Sequence, residues 1–382
     1  MEQRIYFDHA ATTPLDRRAF EKMTPYLTEI YGNANSLHGI GRMAVKGLDN
    51  ARDEIANIIG ANSNEIYFTS GGTEGDNWAL RGFSLNRGNK NKIVISAIEH
   101  SAMLSTCAEL EKQGVKVVKI KPQPNGIVSV SDFEKEIDSD TFLVCLMSAN
   151  NEIGTIQPVK EVFEIAKQRG AYTFTDAVQY APHFNFKVNN LNADMISVSS
   201  HKFNGPKGVG FVYIKNGVKI DSLITGGHQE RAKRGGTSNV AGVVGMAEAL
   251  RLNRIELDAN VAYVKTLRDK FINGVLSNIP CAKLNGDLLN RLPNNANFTF
   301  SGIEGEALLS ILDLKGICAS LGAACSAGAI DPSVTLMEIG LSEADAKSSL
   351  RFTFSKNNTE EEVDYVIKTL IEVVEKLKNL NC

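Results

Sequence analysis

Short runs of β-branched and apolar residues recur along the first two thirds of the chain, at 65–69, 92–96, 115–120, 141–148, 172–175, 194–199 and 208–214. Between most of them apolar positions return with helical spacing, at 44–59, 73–84, 101–113 and 159–168. This alternation predicts an α/β fold, with a doubly wound, mainly parallel sheet covered by helices on both faces. The pattern then changes. It predicts one long helical stretch from about 240 to 276, a strand at 295–300, a helix at 304–314 and a strand at 350–354. A closing helix at 359–377 has Asn358 and Thr359 as cap candidates and glutamates in its first turn. The second half of this pattern predicts a smaller α+β unit. Two units suit the length, since 382 residues exceed the roughly 250 to 300 at which a single core stops growing.

Composition narrows the setting. Lys and Arg total 41 against 44 Asp and Glu, a formal charge of −3, with 43% hydrophobic residues. These values exclude a disordered chain and a general polyanion binder. Apolar stretches such as 142–147 are strand-sized, far below the roughly 20 residues of a membrane-spanning helix. The opening Met1-Glu2-Gln3-Arg4 reaches Asp8 and His9 with no apolar core of a signal peptide between, so a cytoplasmic location is expected. Cysteines stand at 107, 145, 281, 318, 325 and 382 without a CxxC pair, which points to reduced thiols rather than a disulfide framework or a zinc ribbon.

Ligands of an open parallel sheet sit outside the carboxyl ends of its strands. Polar residues follow several predicted strands there: Glu99-His100, Asn150-Asn151-Glu152, Asp176, and Ser199-Ser200-His201-Lys202. Each alone also fits a solvated loop or a helix cap. Ser70-Gly71-Gly72-Thr73 lies between a strand and a helix, where small residues let backbone N–H groups meet an anion. A plain turn with Thr73 as N-cap is the other reading. No GxxxxGK[ST] is present, and Gly39-x-Gly41-x-x-Ala44 follows a turn-like segment instead of the strand a dinucleotide fingerprint requires. A lysine and an aspartate beside a phosphate cradle suggest pyridoxal phosphate, whose aldehyde takes a Schiff-base amine and whose ring nitrogen takes an acidic partner. At about 4 Å and an effective dielectric near 20, a carboxylate and a pyridinium attract by about 4 kcal/mol.

Longer strings are more specific. Ser199-Ser200-His201-Lys202-Phe203-Asn204-Gly205-Pro206-Lys207-Gly208 resembles the cofactor-lysine motif of class V aminotransferase-type enzymes, and within them of NifS/IscS-like cysteine desulfurases. Asp8 to Pro14, Gly32 to His38, Ile98-Glu99-His100, Asn150 to Thr155, Asp176-Ala177-Val178-Gln179 and Ser349-Leu350-Arg351-Phe352 resemble the same family in the same order. The resemblance spans essentially the whole chain and implies pyridoxal phosphate fold type I. The organisation then expected is a large cofactor-binding domain over 16–255, a small domain over 256–382, and an N-terminal segment, 1–15, that joins the small one.

The resemblance also implies roles. Lys202 would carry the cofactor, while Lys207 would be a loop lysine. Asp176 would pair with the ring nitrogen, Gln179 and Asn151 would sit near the ring hydroxyl, and His100 would lie against the ring and move a proton at the substrate thiol. Gly72, Thr73, Ser199 and His201 would hold the phosphate. Arg351 would clamp the substrate carboxylate bidentately, with Asn33 and Asn151 also on the substrate side. Cys325, in Ser320-Leu321-Gly322-Ala323-Ala324-Cys325-Ser326-Ala327-Gly328, would take the sulfur as a persulfide. A free thiol is only about 3% thiolate at neutral pH, so that duty needs a local shift or a nearby base. Cys107, Cys145 and Cys281 read as packed thiols, and Cys318 as structural or as a resolving thiol.

Two motifs depart from the family. Its Ser-Ser-Gly-Ser-Ala-Cys is here Ser-Leu-Gly-Ala-Ala-Cys, and its Arg-Ser-Gly-Thr is Arg234-Gly235-Gly236-Thr237. The family's threonine reaches the neighbouring subunit's phosphate, so Thr237 implies a homodimer. The activity implied is conversion of L-cysteine to L-alanine, with sulfur passed to an acceptor protein for iron-sulfur cluster assembly or for tRNA or cofactor thiolation, and with no direct nucleic-acid or membrane contact. A selenocysteine lyase or another pyridoxal phosphate C–S lyase would not need Cys325, and a sulfur-relay scaffold would need none of Lys202, Asp176 and His100.

Overall fold

Backbone pairing joins seven strands into one sheet in a computed structural model that describes residues 4–321 and 331–380. After a two-residue strand β1 (Ile5–Tyr6), these are β2 (Ile66–Thr69), β3 (Lys92–Ser96), β4 (Lys116–Ile120), β5 (Thr141–Cys145), β6 (Tyr172–Asp176), β7 (Met195–Ser199) and β8 (Gly210–Ile214). Their order is β2-β8-β7-β6-β5-β3-β4. Every pairing from β4 to β7 is parallel, and only β8 is antiparallel to its neighbours. The sequence expectation of a mainly parallel α/β sheet therefore holds.

Burial explains why these runs read as strands. In β3, β5, β7 and β8 every residue is buried, as two covered faces demand. Successive residues face opposite layers. Val94 packs with the helices Gly39–Ile59, Val159–Gln168 and Val240–Ile255, whereas Ile93 and Ile95 pack with Trp78 and Phe83 of Gly72–Leu85 and Met103 of Ser101–Lys112. The edge strand β4 exposes Lys116 and Lys119, charges that discourage further strand pairing.

The second sheet is antiparallel. It contains β9 (Ala282–Leu284), β10 (Asn295–Phe300), β12 (Ser320–Leu321) and β13 (Ser349–Thr353) in the order β12-β13-β10-β9, while β11 (Ile317–Cys318) pairs in parallel with β1. Phe271 of the helix Leu257–Asn278 sits among Phe298, Phe352 and Phe354, and Phe7 completes this core from the other end of the chain.

Local features differ from the sequence expectation, two of them near the ion pairs of Glu256 and at the start of the chain. The stretch at 240–276 is not one helix: Val240–Ile255 and Leu257–Asn278 meet at Glu256, which leaves helical geometry at φ −95° and ψ 1°. Glu256 pairs there with Arg18 at 2.7 Å and with Lys356, so ion pairs from two other elements fix the corner. A helix at Arg17–Thr28 also stands where none was expected, with Pro25 inside it. The closing helix, Glu360–Leu380, is capped as predicted by Thr359, whose hydroxyl accepts from Glu362 N while Glu362 Oε2 accepts from Thr359 N, each at 3.2 Å. Asn358 instead closes the preceding turn, its Oδ1 accepting from Ser355 N. Among the described residues no helix is long and apolar enough to cross a membrane.

Candidate functional site

A cavity of about 750 Å³ opens where the carboxyl ends of β6 and β7 meet the N-terminus of the helix Gly72–Leu85. The turn after β2 brings that helix in. Gly71, at φ 150° and ψ −171°, occupies backbone space open essentially to glycine, and as N-cap it offers no side chain to the first-turn N–H groups. The helix then lies hard against the sheet: a Cβ on Gly72 would stand 2.8 Å from Val178 Cγ2, and one on Gly75 only 2.3 Å from Ser197 Oγ. Gly72 and Thr73 thus line the cavity beside an uncapped helix end, an arrangement suited to an anion.

Lys202 follows β7 in a short 3-10 turn, Ser200–Lys202. Its Nζ donates to Ala10 O at 2.6 Å and to Ala11 O at 2.8 Å, and Gln179 Nε2 donates to Ala10 O at 2.9 Å. The N-terminal segment is therefore one wall of the cavity. Ser199 and His201 line it too, and His201 Nδ1 sits 3.1 Å from Thr12 Oγ1. Burial and then the charges of Lys202 and Lys207 push His201 down to about 4, so its ring is neutral at neutral pH.

Asp176 ends β6, and its Oδ1 accepts from Val178 N at 2.8 Å. Burial raises its pKa, while His100, the Val178 N–H and Lys202 oppose the rise. His100 is the N-cap of Ser101–Lys112: its Nδ1 accepts from Ala102 N at 3.2 Å, which in the neutral ring leaves the proton on Nε2. Cap and cavity residue, alternatives in the sequence, are here one and the same. Glu99 beside it is only 4% exposed rather than on the rim. Its Oε1 accepts from Met147 N at 2.7 Å, and burial pushes its carboxyl up to about 8.

Arg351, on β13, enters from the second sheet and is 2% exposed. Nη1 donates to Asn151 O at 2.9 Å and Nη2 to Asp8 Oδ1 at 2.8 Å. The structure thus gathers Gly72, Thr73, His100, Asn151, Asp176 and Gln179 with Ser199, His201, Lys202 and Arg351 around one cavity. It does not bring Thr237 or Asn33 there. Thr237 lines a smaller cavity of about 150 Å³ with Ser70, Gly208 and Arg234, and the Asn33 side chain accepts from Asn35 N. Lys207 is exposed. Cys325 and Cys382 lie outside the described residues, although β12, which leads toward Cys325, pairs Ser320 with Arg351. Cys107 and Cys145 are buried, with burial pushing the first thiol up to about 12 and the second well up; Cys281 and Cys318 are half-buried.

Sequence reasoning missed Asp8 as the partner of Arg351, and it missed Asp76, a cavity residue on the second turn of Gly72–Leu85. A signal for Asp76 existed: Gly72 and Gly75 mark the helix face pressed on the sheet, and Asp76 is on that face, one turn on from Gly72.

The family described as Aminotransferase class-V matches residues 5–366. A cysteine desulfurase IscS of Clostridium botulinum is 44% identical over 384 aligned positions, covering 100% of this chain and 97% of the relative. Among solved structures, a NifS-like protein superposes with a TM-score of 0.92 at 39% identity, covering 98% of this chain and 100% of its own. A structure described as SspA in complex with cysteine gives a TM-score of 0.83 at 31% identity, covering 94% and 100%.

Proposed function

This chain belongs to the class-V aminotransferase family, and from that membership we propose that it is a pyridoxal phosphate-dependent cysteine desulfurase that takes L-cysteine to L-alanine and moves the sulfur to Cys325. The observation that carries the reading is the convergence of the Lys202 amine, the buried Asp176 carboxylate and the Arg351 guanidinium on one cavity beside an uncapped helix N-terminus. These groups fit the cofactor: an amine for its aldehyde, an acid for its ring nitrogen and N–H groups for its phosphate. Bound there, pyridoxal phosphate supplies the electron sink that makes the substrate Cα–H acidic.

The protein's own groups do the rest. Lys202 would hold the cofactor and serve as the base for the Cα proton, and Asp176 would keep the ring nitrogen protonated. Gln179 and Asn151 would orient the ring edge, and Thr73, Ser199 and His201 would hold the phosphate. Arg351 orients the substrate by its carboxylate, leaving the thiol toward His100, whose Nε2 is the nitrogen not engaged by Ala102 N. The Cys325 thiolate attacks the substrate sulfur, so release from carbon and delivery to an acceptor become separate steps. We take residues 256–382, with 1–15 returning to them, as the small domain carrying Arg351 and the Cys325 loop.

A cytoplasmic homodimer serving iron-sulfur assembly or thiolation proteins is part of the proposal. Exposed Leu27, Tyr31, Leu37 and Met43 near the N-terminus support the dimer, because side chains of that size in one stretch favour a covering surface. Borohydride reduction of the holoenzyme followed by peptide mass mapping should place the cofactor on Lys202. Alanine and persulfide should both form from L-cysteine, and the persulfide should vanish in Cys325→Ala. Alanine formation at the normal rate in that variant would point instead to a C–S lyase, and a protein that takes up no cofactor to a scaffold.

A further inference from the structure

The turn after β5 is gripped from two directions. Arg351 and Asn297 stand opposite each other in the β10–β13 register, and their side chains end on successive carbonyls of that turn. Arg351 Nη1 donates to Asn151 O at 2.9 Å, and Asn297 Nδ2 donates to Glu152 O at 3.2 Å. Asn295 Nδ2 donates to the same Glu152 O, also at 3.2 Å. The peptide joining 151 to 152 is held at its other end too, because Glu152 N donates to Asn150 Oδ1 at 2.9 Å. From this knot the Glu152 side chain reaches the short helix Val334–Glu338. Its Oε1 accepts from Thr335 Oγ1 at 3.1 Å and its Oε2 from Ser333 Oγ. Ser333 in turn caps that helix, its Oγ accepting from Leu336 N at 3.2 Å.

Glu152, Ser333 and Thr335 do not line the cavity; what they share is a route to a group that does. A carbonyl fixes an arginine fork only when its own peptide plane is fixed, and the plane that bears Asn151 O ends at the Glu152 Cα. Two hydroxyls, one on each carboxylate oxygen, set that side chain with hydrogen bonds stronger than those between neutral groups. Ser333 and Thr335 are buried, so water is a poor substitute for either hydroxyl. Along the chain, Ser320 and Ser333 stand on either side of Cys325. Ser320 pairs with Arg351 between β12 and β13, and Ser333 runs back to the same arginine through Glu152 and Asn151 O. We propose that Glu152 is a positioning residue that ties the helix Val334–Glu338 to the Arg351 guanidinium, so that the substrate clamp and the chain beyond Cys325 share one frame. The tie is a matter of these contacts alone, whereas its effect on L-cysteine rests on the desulfurase reading.

Thr335→Val keeps the shape of the side chain and removes its donor. In the full chain without cofactor, the amides of Glu152, Ile153 and Gly154, all bonded to Asn150, should exchange hydrogen about threefold faster in this variant. Thr335→Ser, which retains the hydroxyl, should exchange as wild type does. Unchanged exchange in Thr335→Val overturns the tie. In the holoenzyme, KM for L-cysteine should rise about threefold in Thr335→Val with kcat little changed, and return to the wild-type value in Thr335→Ser. A lower Tm with KM unmoved would confine Thr335 and Glu152 to a structural role and overturns the positioning one. Should Thr335→Val not accumulate, Glu152→Gln, which gives up one of the two acceptor oxygens, takes its place with the same expectations. Faster exchange in a variant that, like the wild type, takes up no pyridoxal phosphate would fault the desulfurase reading and leave the tie standing.

Discussion

Arg351 already holds a carboxylate: its Nη2 lies 2.8 Å from Asp8 Oδ1, and the pair spans the N-terminal segment and β13. On the proposed function, a substrate carboxylate arriving at this guanidinium would exchange one anion for another, with Asp8 as the placeholder it displaces.

Replacing Arg351 by Lys keeps the charge and loses the fork. KM for L-cysteine should rise at least tenfold, about 1.4 kcal/mol, with a smaller change in kcat. Asp8→Asn should lower KM and Tm together, because it removes a competitor and strands a buried cation. Steady-state alanine formation and thermal melts of the same samples read both; a KM unchanged in Arg351→Lys would dismiss the clamp.

Glu99 makes a pH signature. Its carboxyl, raised by burial to about 8 from 4.5, keeps a proton in the folded state that the unfolded chain has lost across that window. Stability should therefore fall as pH rises from about 5 to about 8, with a slope approaching 1.4 kcal/mol per unit. Glu99→Gln should flatten that part of the profile in urea titrations of the apo protein; parallel profiles would refute the assignment. His201, depressed to about 4, acts oppositely, losing stability as pH falls below 6.5.

Glu230, Arg231 and Ala232 form three successive left-handed positions at φ 46°, 56° and 61°. Such non-glycine residues cost roughly 1 to 2 kcal/mol each, and Glu230 is held there by Arg52 at 2.7 Å and by Phe68 N at 3.0 Å. Ala232→Gly should stabilise the protein by about 0.5 to 1 kcal/mol, read as a higher urea midpoint at constant m. A lower midpoint would mean that the alanine methyl contributes packing worth more than the strain.

Gly75→Ala places a methyl 2.3 Å from Ser197 Oγ and 2.9 Å from Val212 Cγ1. Overpacking of this kind costs about 1 to 3 kcal/mol. The helix carrying Thr73 and Asp76 must lift, so cofactor affinity should fall along with stability. Unchanged affinity in a destabilised variant would show that the helix yields elsewhere.

The large sheet was legible because β3, β5, β7 and β8 are buried on both faces and must be apolar throughout. The break at Glu256 was not, because Ile255 and Leu257 continue the helical pattern across it and the corner depends on Arg18 and Lys356, distant in sequence. Arg17–Thr28 stayed hidden behind its polar composition and Pro25. Site residues at strand ends, such as Asp176 and Lys202, announced themselves by position. Asp76 did not, since an acid in a helix reads as solvated until the sheet beneath it is known. Thr237 and Asn33 rested on family motifs alone, and neither lines the cavity; for Thr237 the motif points to a neighbouring subunit's phosphate rather than to this chain's own site.

Ala10 and Ala11, the wall that receives Lys202, are held in place by Ile5 pairing with Ile317 and by Phe7 O accepting from Thr353 N. The wall therefore closes only when residues made more than 300 positions later have emerged and folded. Contacts of such separation form late, because loop closure must precede any gain. During synthesis the seven-stranded sheet can assemble with Lys202 uncovered, and the wall over its amine closes only once β11 and β13 are in place.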